Sequence, residues 1–231
     1  MNHFHFQLYD RPLGAFAGPA VVTAGGKAIV TAAGGQAHAT LYDKTGAALT
    51  NPISLTRGAG DFYTANAVNA VDLFILTAEG HSVQLWNVSS GGLADVVVNR
   101  DARNQTLVIP FSVADQLADN TEVDTGLDLI DGMVMQPFPY IKVVTIDAAE
   151  TINFGTGEAV PADGGDADGF GSAVSVATAG LVADTGSALL NAVEYIAPAD
   201  SLTWTLSAGS DTATGYIFLP YRLLTTGNPT I

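Results

Sequence analysis

The sequence predicts a mainly β protein with two small antiparallel β-sandwich or barrel-like domains joined by an extended connector. Three observations favour this class. Short segments alternate apolar with polar side chains, and turns rich in glycine and aspartate separate them. The composition shifts near residues 89–120. The chain has 231 residues, of which 48% are hydrophobic and 13% charged, so it holds enough apolar material for two cores.

We divide the chain into an N-terminal arm (1–24), an N-terminal β-domain (25–92), a connector (93–120) and a C-terminal β-domain (121–231). The arm carries aromatic residues interrupted by prolines and glycines, a pattern that we interpret as too irregular for a core strand. It is also too apolar for a free tail, so we predict that it packs on a neighbouring subunit. The connector contains two short apolar segments, which either link the domains or add strands to one of them.

In the N-terminal domain, the segments 27–31, 38–42, 48–55, 62–64, 71–76 and 82–88 have the length and alternation of strands. Pro52 predicts an edge position for its segment. The tetrapeptide from Asp43 to Gly46 begins with a residue that favours an Asx turn and ends with glycine, so it predicts a tight turn. Together these short strands indicate a small antiparallel sandwich.

In the C-terminal domain, residues 141–146 form a strong strand pattern, and residues 155–171 form a long loop rich in glycine and aspartate. We predict short strands rather than a helix for residues 172–197, because β-branched residues and glycines oppose a helix there. Residues 202–224 predict a hairpin whose first strand alternates apolar with hydroxyl side chains. Pro220 in its returning strand indicates an edge or a bulge.

The returning strand of this hairpin is apolar on both faces, since Tyr216 and Phe218 share one face while Ile217 and Leu219 share the other. A two-layer sandwich buries only one face of a strand, so the other face favours a subunit interface. A larger fold in which both faces are internal stays open as the alternative. The interface residues that we predict come from the arm and from this strand: Phe4, Phe6, Tyr9, Phe16, Tyr216, Ile217, Phe218 and Leu219.

Charge and cysteine content exclude several classes of function. The chain has 23 acidic and 8 basic residues, a formal net charge of −15, so nucleic acids and anionic membranes are unfavourable partners. It has no cysteine, and therefore no disulfide, thiolate metal site or cysteine nucleophile. We see no Sec-type signal at the start and no apolar run near the ~20 residues that span a bilayer.

One cluster has the composition of a cation site. Asp163, Asp166 and Asp168 alternate with glycines, as in loops that wrap Ca²⁺, but residues 170–182 lack the glutamate ligand of an EF-hand. We therefore favour a solvated acidic turn and predict no bound metal and no cofactor. His3 and His5 share one side of an extended chain, but two ligands do not make a site. No nucleophile elbow or phosphate loop is present, and a glycosidase pair among the many carboxylates stays open, so the sequence singles out no catalytic residue.

Several short motifs resemble those of structural proteins of tailed bacteriophages. In the first half they are 39–43 with the turn to Gly46, 49–52, 62–64 and 71–73. In the second half they are 123–126, the strand around Val143, the loop 165–170, and 202–209 with 215–219, which are similar to head-decoration proteins. These motifs are short and are spread over residues 39–219.

The resemblance implies a non-enzymatic protein that decorates and stabilises the exterior of the capsid, commonly as a trimer. The partners it implies are the major capsid protein and further copies of the chain. The location it implies is the outside of the virion, after synthesis in the bacterial host cytoplasm. Two alternatives stay open, namely a tail, fibre or head–tail component, and a glycan-binding module or an enzyme acting on cell-surface glycans.

Overall fold

The structure, a computed structural model, describes residues 1–10, 20–21, 25–91, 93–98, 104–118, 120–130, 133–148, 150–157, 167–183, 195–196, 201–207 and 211–223. The chain separates into two compact units, unit 1 (1–102) and unit 2 (103–231). Strands form most of the described part, and the helical structure there is a single 3₁₀ turn, Val113–Asp115. The predicted mainly β class is confirmed.

The described residues of unit 1 form ten strands. They are β1 (Asn2–Asp10), β2 (Ala20–Val21), β3 (Gly26–Ala32), β4 (Leu41–Tyr42), β5 (Ala48–Leu49), β6 (Ile53–Leu55), β7 (Ala59–Thr64), β8 (Ala70–Thr77), β9 (Ser82–Ser89) and β10 (Leu93–Val98). Sheet A has the order β10-β1-β7-β4-β5, with β2 also paired to β1, and sheet B has the order β6-β3-β8-β9.

Sheets A and B enclose one hydrophobic core. Sheet A contributes Phe4, Phe6, Leu8, Leu41 and Phe62, and sheet B contributes Ala28, Val30, Ile53, Leu55, Val71, Leu73 and Ile75. All of these side chains are buried, and within each strand they alternate with residues of the other face. Unit 1 is therefore a two-sheet sandwich, as the segment pattern predicts.

The prediction of an irregular N-terminal arm is wrong for residues 2–10. Strand β1 lies inside sheet A, antiparallel to β7 and parallel to β10. Its phenylalanines Phe4 and Phe6 alternate with His3 and His5, so one side of the strand enters the core. The turn-forming residues begin only after Asp10, and the strand before them is regular.

In unit 2 the part of the chain that the structure describes also forms ten strands. They are β11 (Asn104–Ser112), β12 (Val123–Asp128), β13 (Met133–Met135), β14 (Tyr140–Thr145), β15 (Thr151–Thr156), β16 (Gly171–Ser175), β17 (Gly180–Ala183), β18 (Tyr195–Ile196), β19 (Ser201–Leu206) and β20 (Thr214–Leu223). The short strands β16, β17 and β18 agree with the strand prediction for 172–197 in the residues described there.

Unit 2 has two sheets. In sheet C, the long strand β20 pairs with β11 along one side and with β14 and β13 in succession along the other, and β17 and β18 extend the sheet from these two. Sheet D has the order β12-β19-β15-β16. The rings of Phe111 in sheet C and Trp204 in sheet D are 6.2 Å apart and fully buried, so the two sheets share a core.

The predicted hairpin of residues 202–224 is wrong. Strand β19 pairs with β12 and β15 in sheet D, whereas β20 belongs to sheet C. The connection between them crosses from one sheet to the other. Pro220 is also not at an edge, because β20 has neighbours on both sides. On one side of β20, the paired strands β13 and β14 are interrupted between Met135 and Tyr140, opposite Pro220. No regular strand pairing there needs the backbone N–H that proline lacks.

The predicted connector 93–120 contributes strands to both units. Strand β10 pairs with β1 in unit 1, and β11 pairs with β20 in unit 2. The second of the two alternatives for this segment is therefore observed. The division between the units falls between residues 102 and 103.

Three buried phenylalanines each lie directly opposite a glycine on the neighbouring strand. The pairs are Phe6 with Gly60, Phe111 with Gly215, and Phe154 with Gly171. A Cβ atom at each glycine would lie 2.2, 2.7 and 2.2 Å from the ring of its phenylalanine, closer than carbon atoms approach. Each ring therefore occupies the space that a side chain on the paired residue would need, and glycine is required at the three positions.

Candidate interaction surface

The predicted interface residues of the N-terminal segment do not form an exposed surface. Phe4 and Phe6 are buried in the core of unit 1, and Tyr9 is half-buried. Phe16 lies outside the described residues. The prediction that Phe4 and Phe6 contact a neighbouring subunit is wrong, because the sandwich of unit 1 already surrounds both side chains.

The predicted interface residues of β20 divide between the two faces of sheet C. Ile217 and Leu219 are 1% exposed and lie on the face that carries the core residue Tyr221. Tyr216, which shares the opposite face with Phe218, is 6% exposed, so most of this side chain is covered within the chain itself. Phe218 is half-buried, and its ring stacks on that of Tyr140 with centroids 4.7 Å apart and planes 8° apart.

Around Phe218 the register places a set of side chains that the sequence prediction did not identify. Residues paired directly across antiparallel strands share a face of the sheet. Tyr140 is paired with Phe218, and Lys142 is paired with both Tyr216 and Leu181. Leu181 is 72% exposed. We call this side of the sheet the outer face of sheet C, and it comprises Tyr140, Lys142, Leu181, Tyr216 and Phe218.

The outer face is extended by Val144, which is 44% exposed and follows the buried Val143 at an irregularity in the pairing of β14 with β20. Lys142 is also exposed. The face therefore combines a stacked aromatic pair with two exposed aliphatic side chains and a cation. Such a composition, aromatic and aliphatic with a single charge, is typical of surfaces that contact another macromolecule.

The polar residues of the motifs hold turns. The Asp43 carboxylate accepts hydrogen bonds from the Thr45 hydroxyl at 2.6 Å and from the backbone N–H groups of Thr45 and Ala47 at 2.7 and 2.9 Å. The hydrogen bond from the Thr45 hydroxyl, followed by that from the Ala47 N–H, lowers the pKa of Asp43 from 3.8. Gly46 has a φ of 88°, which glycine adopts readily. The turn predicted from Asp43 to Gly46 is observed.

Asn51 joins two parts of unit 1. Its side-chain amide donates to the carbonyls of Val30 and Ala39 at 2.7 and 2.9 Å, and its oxygen accepts the Val30 N–H at 3.0 Å. The following peptide bond to Pro52 is cis. This residue lies between β5 in sheet A and β6 in sheet B, so it anchors the chain where it changes sheets.

Asp72 is a buried carboxylate that the sequence prediction did not single out. It is 2% exposed, and its two oxygens accept the N–H groups of Gly34 at 2.8 Å and Asn87 at 2.7 Å. Asn87 has a φ of 56° beside the pairing irregularity of β8 and β9. Asp72 therefore links a turn on one side to an irregular edge strand on the other, which is a structural role.

The motif 123–126 also has a structural role. Asp124 accepts the N–H of Gly126 at 2.7 Å. The buried Thr125 hydroxyl donates to the Leu202 carbonyl at 2.8 Å, across the irregularity in the pairing of β12 with β19. The first contact stabilises the backbone of β12 locally. The second holds β12, an edge strand of sheet D, to its neighbour β19.

Among the metal candidates, Asp163 and Asp166 lie outside the described residues, and Asp168 accepts a hydrogen bond from the Ser172 hydroxyl at 3.0 Å. The Nε2 atom of His3 lies 2.7 Å from Asp61 Oδ1, and its ring stacks on Tyr63 at 4.5 Å. No group of three or more metal-binding side chains occurs in the described ranges. Over the same ranges, no helix has the length and apolarity required to cross a bilayer.

Comparison with models of protein families, with curated proteins and with solved structures finds no match for the chain. The class that can be stated is therefore the one that the fold defines, a mainly β protein with two compact units, each built from two sheets.

Proposed function

We propose that the chain is a non-enzymatic virion structural protein that decorates and stabilises the exterior of a bacteriophage capsid. Its partners in this proposal are the major capsid protein and further copies of the chain, arranged as a homotrimer. The resemblance of the short motifs to phage structural proteins is the starting point. An acidic chain of net charge −15 also suits the water-facing side of a shell better than the side that faces DNA.

The observation that carries the proposal is the use of the polar side chains in these motifs. The Asp43 carboxylate and the Thr125 hydroxyl, together with the Asn51 amide, form hydrogen bonds to the backbone of their own unit. Groups held in this way stabilise turns and strand crossings. The motifs therefore support a rigid structural module.

The mechanism is stabilisation by linkage. A protein that binds the assembled shell, and does not bind dispersed capsid subunits, lowers the free energy of the shell by an amount that rises with its concentration and affinity. Exposed aliphatic and aromatic side chains on rigid sheets are suited to such binding, since little conformational freedom is lost on contact.

Electron microscopy of purified chain mixed with heads of the bacteriophage that encodes it tests the proposal. Decoration predicts added density at regular positions on the outer surface and a higher temperature at which the heads open. Bare heads contradict the proposal. Density confined to the tail or to the head–tail junction supports the tail or fibre alternative, and binding to host glycans with bare heads supports the glycan-binding alternative.

A further inference from the structure

We infer that the outer face of sheet C is a docking surface for a second copy of this chain. The inference rests on the self-association included in the proposed function and names the surface responsible. It depends on three features of unit 2, namely the charge of sheet C, the exposure of its side chains and the net charge of the whole chain.

The strands of sheet C carry no acidic residue. The chain contains 23 Asp and Glu residues, yet β11, β13, β14, β17, β18 and β20 contain none, and their charged residues are Lys142 and Arg222. The strands of the other three sheets do contain aspartates: Asp10, Asp61 and Asp95 in sheet A, Asp72 in sheet B, and Asp124 and Asp128 in sheet D. Sheet C is therefore a neutral to cationic region in an acidic protein.

The outer face also exposes apolar area. Leu181 is 72% exposed and Val144 is 44% exposed, and they lie on neighbouring strands beside the Tyr140–Phe218 stack. Charged residues are depleted at the centre of protein interfaces while aromatic residues are enriched there, and the outer face has this composition. The stacked rings hold each other in place, so docking immobilises few additional rotamers.

Charge complementarity indicates the occupant. An acid-free face with an exposed lysine fits an acidic surface, and a second copy, with net charge −15, supplies one at the same concentration as the face itself. A nucleic acid is also acidic, but its binding requires several cationic contacts to phosphates, and the outer face supplies one exposed lysine. Leu181 and Val144 in addition require an apolar counterpart, which a protein surface offers.

The same argument favours a head-to-tail contact over a symmetric one. If two outer faces docked against each other, the Lys142 side chains of both copies would lie in the same interface. The strands of sheet C would supply no carboxylate to pair with them. Contact of the outer face of one copy with a different, acidic surface of the next pairs opposite charges. Heterologous contacts of this kind form a closed ring when the rotation between copies permits it, and a trimer is the smallest such ring.

Analytical ultracentrifugation of the full chain, with a matched pair of leucine variants, tests the inference. Leu181→Asp and Leu117→Asp make the same chemical change at two exposed leucines of unit 2, of which Leu117 is 95% exposed and lies outside sheet C. We expect wild type to self-associate and Leu181→Asp to raise the dissociation constant by about tenfold or more. Leu117→Asp should leave the dissociation constant unchanged. A monomeric wild type, or equal effects of the two variants, overturns the inference.

A second pair of variants tests the charge argument. Lys142→Glu and Lys44→Glu change the net charge by the same amount, and both lysines are exposed, but Lys44 is in the 43–46 turn of unit 1. Only Lys142→Glu should weaken self-association. Far-ultraviolet circular dichroism confirms that each variant is folded. Failure of the proposed function is distinguishable from failure of this inference. Self-associating protein that leaves heads bare supports this inference alone. A monomer that decorates heads supports decoration but overturns both this inference and the homotrimer.

Discussion

Replacing Gly60 by alanine is expected to destabilise unit 1, because the new methyl group would overlap the Phe6 ring. An ideal Cβ at Gly60 lies 2.2 Å from Phe6 Cε1 and 2.3 Å from Cζ, whereas carbon atoms in contact are about 3.5–4.0 Å apart. Phe6 is 0% exposed and belongs to the core shared by sheets A and B, so its ring has little room to move. Gly60 does not have a positive φ, so alanine causes no backbone strain there.

We expect a loss of about 1–3 kcal/mol for Gly60→Ala, the usual cost of an overpacked core. Urea unfolding followed by circular dichroism and tryptophan fluorescence measures it, with Trp86 in unit 1 and Trp204 in unit 2 as probes. Gly25→Ala is the control, since the atom nearest to a Cβ at that position, the Leu55 carbonyl oxygen, would be 3.4 Å away, an ordinary van der Waals distance.

A double-mutant cycle with Phe6→Leu identifies the cause of this loss. Leucine removes the ring atoms nearest to Gly60, so Gly60→Ala in the Phe6→Leu background should cost at least about 1 kcal/mol less than in wild type. Additive effects, or a Gly60→Ala variant as stable as wild type, would refute the argument that the ring occupies the space of the missing side chain.

Four further outcomes are expected. Asp72→Ala should lower the free energy of unfolding by about 1–3 kcal/mol in urea titrations, because the part-buried hydrogen bonds from the Gly34 and Asn87 N–H groups lose their acceptor; a loss below about 0.5 kcal/mol contradicts the assigned role. Asn51→Asp should destabilise more than Asn51→Ala, because a carboxylate would face the Val30 and Ala39 carbonyls; the reverse order contradicts it. The Asp43 carboxyl should titrate by NMR with a midpoint below 3.8, so its contribution to stability is present at neutral pH and lost as pH falls through that midpoint; a midpoint at or above 3.8 is the contrary result. EDTA should leave the melting temperature unchanged, and a fall of several degrees would indicate a structural metal.

Strand identity could be predicted from the sequence because it depends on local alternation. The segments predicted at 71–76 and 141–146, for example, correspond to β8 (Ala70–Thr77) and β14 (Tyr140–Thr145). Sheet membership could not be predicted in the same way. The segment between β19 and β20 has the length and composition of a hairpin loop, but the same properties suit a connection between two facing sheets. Only long-range pairing, such as that of β20 with β11, decides between them.

The N-terminal strand shows how neighbouring residues can obscure a local signal. Phe4, Phe6 and Leu8 alternate with polar residues, which is the pattern of a half-buried strand. The prediction of an irregular arm arises when this strand is grouped with the sequence that follows it, which contains Pro12 and Gly14. The pairing of β1 with β10 also joins residues more than eighty positions apart, and no local pattern indicates it.

The outer face of sheet C was only partly predictable. Phe218 was identified from the two-sided apolar pattern of its strand, but Tyr140, Lys142 and Leu181 join it through cross-strand register. A signal for the region does exist in the sequence, because the segments that form sheet C contain no aspartate or glutamate. That signal becomes visible only once the strands are known to belong to one sheet.

The parallel pairing of the first and last strands of unit 1 has a mechanical consequence. Because β1 and β10 run side by side in the same direction, the start of β1 and the end of β10 lie at opposite ends of the pair. Tension applied between these two ends pulls the strands past each other along their length. The hydrogen bonds of the pair then bear the load together, whereas strands pulled apart from one end would lose them one at a time. Unit 1 is thus built to resist stretching along its strands, and its lifetime under force is set by the rate at which the whole ladder gives way.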